Sequence, residues 1–197
     1  MKGQHSVPTA TRSVLSSHVT IIPTTMLSQK IEQALNKQIN AEMWSAYLYL
    51  SMSAYCSSIG REGMANWYQV QFREEQDHAR ILFNYVVQRG GRVKLEAIAA
   101  VPTEWKSVLD VFESTLHHEE KVTAMINELV ALSTEENDYA TQSMLRWFID
   151  EQVEEEENAR QIIDNVRFLE GNTYGLYMYD KELGARTYTQ PAVLGKN

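Results

Sequence analysis

Four long stretches of this chain repeat apolar residues every three or four positions, and each stripe is broken by acidic, amide or imidazole side chains. The first runs Ile31, Leu35, Ile39, Glu42, Ala46, Tyr49 and Ser53, from Ser28, a favourable N-cap residue, to a break at Ser57-Ser58-Ile59-Gly60. The second, from about Glu62 to the Gly90-Gly91 stop, carries Met64, Tyr68, Gln71, Glu75, His78, Leu82 and Tyr85. On the third lie Leu109, Phe112, Leu116, Glu119, Val122, Ile126 and Leu129. The fourth holds Leu145, Phe148, Gln152, Glu155, Ala159, Ile162, Val166 and Leu169, and Gly171 ends it. Residues at this spacing share one face of an α-helix, the face a helix turns towards a core. The spacing therefore predicts an all-α bundle of four long helices that places polar groups inside its core.

Loop lengths predict how the helices connect. The first two are separated by so short a break that they form an antiparallel hairpin. From Gly90 to about Ser107, including Pro102, no period is visible. Extended, those dozen or more residues run about 40 Å, roughly the length of a 28-residue helix. Such a crossover returns the chain to the far end of the bundle and makes the third helix parallel to the second. The polar turn Ser133 to Asp138 closes a second hairpin, and the amphipathic piece Tyr174 to Leu183 predicts a short fifth helix. Residues 26–184 are expected to form one domain, and residues 185–197, with Pro191 and Gly195, a flexible tail.

The inward polar residues fall at matched heights. Glu42 and Glu75 lie 33 residues apart (42 to 75), and so do Glu119 and Gln152 (119 to 152). In an antiparallel hairpin two residues share a level when they are equally far from the turn. Here the midpoints, near 58–59 and 135–136, fall in the turns already placed. Each hairpin thus brings its polar residues to one level, about 16 residues or roughly 24 Å from its turn. Glu75 and His78, three apart on one helix face, form a two-ligand claw. Burying unpaired carboxylates costs several kcal/mol, and a bound cation offsets that cost. The set is rich in oxygen, holds one imidazole and has no thiolate, which suits iron or manganese better than structural zinc or an iron-sulfur cluster. Glu42, Glu75, Glu119 and Glu155 together balance two divalent ions, with Glu75 central enough to bridge them.

A net charge of −8 argues against nucleic acid or an anionic membrane as the main partner. No stretch approaches the roughly 20 apolar residues of a membrane span. The single cysteine, Cys56, has no intramolecular partner and fits a reducing cytoplasm. Residues 1–25 contain no acid, are rich in Ser and Thr, include Lys2 and Arg12, and show no helical period. They are expected to lie outside the core, whether as a tail, a targeting segment or a stretch ahead of a true start at Met26.

The arrangement is similar to the template of ferritin-like di-iron proteins, in which two helices each give a Glu and the other two each give Glu-x-x-His. The fourth helix departs from it, offering Gln152-Val153-Glu154-Glu155. That asymmetry, the run A-E-x-W-S-A-Y-x-Y-L around Glu42 and E-E-Q-D-H-A around Glu75 closely resemble bacterial non-haem ferritins. The resemblance extends from Met26 to about Leu183. It implies a first iron site of Glu42, Glu75 and His78, a second of Glu75, Glu119 and Glu155, and Gln152 as a weaker contributor. It also implies a third iron at Glu74, Glu151, Glu154 and the shared Glu155. Tyr49 matches the family's tyrosine near the centre, and Trp147 a neighbouring aromatic. Haem is not expected, because Gln76 and Asp77 stand where bacterioferritins place a methionine ligand. The same resemblance implies iron storage: Fe(II) oxidised by O2 or H2O2, and Fe(III) mineral held in a shell of twenty-four chains, with Tyr174 to Leu183 at the fourfold axes. The alternative is a soluble di-iron oxidoreductase or peroxidase on the same bundle.

Overall fold

The computed structural model describes residues 27–195; the extension expected over residues 1–25 lies outside them. Five α-helices follow in order: α1 Gln29–Ser58, α2 Glu62–Gln88, α3 Val108–Glu135, α4 Tyr139–Phe168 and α5 Thr173–Leu183. A short 3-10 turn covers Ala192–Leu194, and there is no strand among the described residues. Ser28, Ser107 and Asp138 accept the backbone N–H groups of Ile31, Asp110 and Thr141, capping α1, α3 and α4. Gly90, with φ of 72°, ends α2 in the left-handed conformation that a Cβ disfavours, and Asn137, at φ of 55°, does the same for α3.

The crossover, residues 89–107, runs the length of α1. The backbone N–H of Arg92 meets Glu32, that of Lys94 meets Asn36, Ser51 donates to the Pro102 carbonyl, and Trp105 packs edge-on against Tyr55. These contacts advance along α1 from its first turns to its last, so α3 starts beside the α1–α2 turn and runs parallel to α2. At the other end Arg89 grips Asp138 through two hydrogen bonds of 3.1 Å, joining the exit of α2 to the cap of α4.

The core has two apolar halves. One gathers Tyr49, Met52, Met64, Trp67, Tyr68, Phe112 and Ile162; the other Ile31, Leu35, Ile39, Leu82, Val86, Ile126, Leu145 and Phe148. Between them lies a buried polar layer that contains Glu42, Gln71, Glu75, His78, Glu119, Gln152 and Glu155. The stripe on α3 sits slightly off the expected phase: Val111 and Thr115 are buried while Leu109 and Leu116 are only partly covered. Thr115 tolerates burial because its hydroxyl bonds the Val111 carbonyl and the Tyr68 hydroxyl, at 3.1 and 2.8 Å.

Helix α5 lies across the start of α2 at backbone contact. A Cβ on Gly63 would stand 1.6 Å from the Asp180 carbonyl oxygen, while the buried Asp180 carboxylate accepts the Met64 N–H. Gly63→Ala is therefore expected to displace α5 and to destabilise the chain by about 1–3 kcal/mol, read as a lower Tm. An unchanged Tm would show that the two elements are not packed this closely. Beyond α5, residues 185–195 continue back along α2, where Leu194 packs against the second apolar half.

Candidate metal centre

Each helix of the bundle contributes to the polar layer. Helix α1 brings Glu42 and Tyr49, α2 brings Gln71, Glu75 and His78, α3 brings Glu119, and α4 brings Glu151, Gln152 and Glu155. Ligating atoms of Glu42, Glu75 and His78 lie within 4.8 Å of one another, and so do those of His78, Glu151 and Glu155. His78 belongs to both groups. Its Nδ1 stands 3.5 Å from Glu75 and its Nε2 3.8 Å from Glu151, and its ring is wedged edge-on against Trp147 and Phe148.

Glu119 is in neither group and is held by donors. The Tyr49 hydroxyl donates to one of its oxygens, and Gln152 Nε2 donates to the other at 3.2 Å. The same amide reaches the Glu119 carbonyl and the Thr123 hydroxyl, both at 3.3 Å. Gln38 Nε2 donates to Glu42 Oε1 at 2.9 Å, and Gln71 Nε2 to Glu155 Oε2 at 2.8 Å. Among the described residues, two buried side-chain polar atoms have no hydrogen-bond partner, Glu42 Oε2 and His78 Nε2. An orphaned buried polar atom costs about 1–3 kcal/mol. Glu42 belongs to the first ligand group, and His78 Nε2 looks towards Glu151 of the second, so each group that could hold a cation contains an orphaned atom.

Burial dominates the electrostatics. It drives the carboxyl of Glu155 up to about 8, reinforced by Glu119, and that of Glu119 up to about 6. Burial likewise holds Glu75 well above the ordinary carboxylate range, and Glu119 and Glu42 add to the rise. Burial opposes a charged His78, but Glu75, Glu151 and Glu42 outweigh it and keep the imidazole readily protonated. Tyr49 stays a neutral donor because burial, and next the charge of Glu119, raise its pKa. Without a metal, the layer therefore holds itself together with protons.

Of the third group expected from the sequence, Glu151 joins His78 and Glu155, whereas Glu154 is exposed and Glu74 pairs with Arg186 at 2.7 Å. Sequence reasoning missed three participants. Gln38 lies four residues before Glu42 on the same helix face, so spacing could have found it. His118 is largely enclosed against Trp44 and Tyr49, with Ser45 Oγ 2.8 Å from its Nε2; burial, then Lys121, lowers its pKa to about 4. No period singles it out from its neighbour His117. Arg186 comes from the segment expected to be a flexible tail.

Fold and site together define a four-helix bundle built around a buried, cation-ready carboxylate and histidine layer. Comparison with known proteins gives the same result. Residues 32–169 match the Ferritin family, described as a ferritin-like domain, and the chain belongs to that family. It is 42% identical to a bacterial non-heme ferritin of Bacteroides fragilis over 161 residues, covering 82% of this chain and all of that one. A Staphylococcus aureus bacterial non-heme ferritin is 38% identical over 165 residues, covering 84% of this chain and 99% of its own. Among solved structures, an open pore ferritin from the archaeon Archaeoglobus fulgidus superposes with a TM-score of 0.81 at 48% identity, covering 82% of this chain and 99% of that one.

Proposed function

We propose that this chain is an iron-storage ferroxidase. It binds two Fe(II) ions between its four helices, oxidises them with O2 or H2O2, and passes Fe(III) to a hydrous oxide mineral inside a hollow homo-oligomeric shell. By likeness to the ferritins the shell has twenty-four chains and works in the cytoplasm. The observation that carries this reading is the single buried layer of acids and one imidazole, with Glu42 Oε2 and His78 Nε2 unpartnered, in a chain of the ferritin family. No helix among the described residues is long and apolar enough to cross a membrane.

Glu42, Glu75 and His78 take the first Fe(II), and Glu75, Glu119 and Glu155 the second, so Glu75 is shared. Glu151, which stands with His78 and Glu155, extends the second position towards the surface. Gln152 and Tyr49 act through hydrogen bonds to Glu119 and fix its two oxygens. A third position, of Glu74, Glu151 and Glu154 beside Glu155, rests on the family resemblance: burial first raises the Glu74 carboxyl, Arg186 opposes the rise, and Glu151 and Glu154 add to it. Two Fe(II) give up one electron each, and O2 accepts both with two protons to become H2O2; with H2O2 as oxidant the products are two waters. The protein's part is geometric and electrostatic. Carboxylates favour Fe(III) over Fe(II), and adjacent positions deliver both electrons to one oxidant molecule.

Aerobic Fe(II) addition to metal-free protein, with iron counted after size exclusion, tests the reading. Hundreds of irons are expected to co-elute with a very large particle. Saturation at about two irons per chain in a small particle would replace storage with a di-iron oxidoreductase.

A further inference from the structure

The chain beyond α5 is tied to the metal centre from outside the bundle. After Gly184 it turns back along α2, where Asn66 Nδ2 donates to the carbonyls of Gly184 and Arg186 at 3.3 and 2.9 Å. The Arg186 guanidinium lies over the Trp67 ring, 4.8 Å from its centroid. Farther along, the Tyr188 hydroxyl donates to Asp77. Arg186 itself is forked: Nη1 donates to Gln71 Oε1 and Nη2 to Glu74 Oε2.

Gln71 is fully buried, and its other end reaches the site through the bond from Nε2 to Glu155 Oε2. A guanidinium can only donate and a carboxylate can only accept. An amide between them has one orientation that satisfies both, with its oxygen towards Arg186 and its NH2 towards Glu155. The arginine thus fixes the sense of the amide, and the amide occupies one oxygen of Glu155 and leaves the other for a cation. The Arg186–Glu74 pair is partly buried, and by itself such a pair says nothing about the metal position. What distinguishes this one is the buried amide carrying its geometry inward.

We infer that Arg186 is a positioning residue for the second metal position, acting through Gln71 on Glu155, so that the segment after α5 is part of the metal centre. The inference rests on the two-iron reading above. Partners behind metal ligands commonly change affinity by about 10–100-fold, and that is the effect expected here.

The test is calorimetric titration of the metal-free, full-length protein with Zn(II), a redox-inert divalent probe. The wild type is expected to fill the two positions of the centre before any ion enters the third. Arg186→Met keeps the stem over Trp67 but removes the donors, and it is expected to weaken one ion by about 10–100-fold while leaving the other unchanged. Gln71→Leu, which leaves Arg186 and Tyr188 in place, is expected to do the same. The double variant should be no weaker than either single one, because both break one relay. Additive losses, equal weakening of both ions alongside a lowered Tm, or no loss in either variant would overturn the positioning role. So would an extra ion in Arg186→Met, which would make the guanidinium a plug on Glu74. Wild-type protein binding fewer than two ions would overturn the two-iron reading itself, and this inference with it.

Discussion

Glu75→Ala is expected to remove the fast phase of Fe(II) oxidation, lowering the initial rate by about 100-fold or more, while the bundle stays folded. The size of the effect follows from where Glu75 sits. It is 2% exposed, clusters with Glu42 and His78, and feels the charge of Glu119 from the second position. Losing a residue behind a ligand commonly costs about 10–100-fold, so losing a carboxylate shared by two ions costs more. Stability should respond differently. Burial penalises this carboxylate first, and the attraction of His78 is opposed by the charges of Glu119 and Glu42, so its removal changes metal-free stability much less than it changes oxidation. Glu75→Gln keeps the shape, loses the charge, and should slow oxidation nearly as much. Stopped-flow absorbance after mixing Fe(II) with metal-free protein reads the rate, and the metal-free Tm provides the folding control. Wild-type initial rates in either variant would remove Glu75 from the site.

The heights of Glu42, Glu75, Glu119 and Gln152 were legible in the sequence because a helix is a ruler. Two pairs at equal separation, each centred on a turn of Ser, Gly, Asn or Asp, are what two antiparallel hairpins with one shared polar level require. The crossover was legible for a related reason: a long aperiodic run can only bridge the bundle's length, and residues 92–105 do so along α1. Contacts made across large separations were not legible. Arg186 and Glu74 are 112 residues apart, and nothing local marks either as the other's partner. For the same reason, no period marks Glu74 or Glu154 as more than acids on a helix edge, and only the family resemblance singles them out. His118 hides behind His117 and Glu119, since a histidine on the flank of a helix face shows no period, and only the packing of α1 against α3 encloses it. Gln71 was read on the correct stripe, but its role depends on which way an amide points, and that is set by two partners on other segments.

Acidity should oppose both metal uptake and oxidation, with most of the change between about pH 6 and pH 8. The sign follows from the direction of the shifts. Burial raises Glu155 from 4.5 to about 8 and Glu119 from 4.5 to about 6, and it also lifts Glu75. The folded metal-free chain therefore keeps protons that the unfolded chain has already released, and its stability falls as pH rises through that window. This contribution is fully present below about 4.5 and is lost by the time the pH passes the folded-state values. A divalent ion reverses the balance, because it needs the ionised carboxylates and a neutral His78. Metal affinity and initial oxidation rate should thus climb with pH over the range in which metal-free stability declines, and each retained proton costs up to about tenfold in affinity per pH unit. Two measurements check this together. Calorimetric Tm values should converge for metal-free and Zn(II)-loaded protein near about pH 5 and separate towards about pH 8, the loaded form being the more stable. Protons released on anaerobic Fe(II) binding, followed in weak buffer, should be plentiful at about pH 6.5 and few above about pH 9. A release that does not vary with pH would mean that the carboxylates are already ionised in the empty bundle. The layer would then be held together by some cation other than the proton.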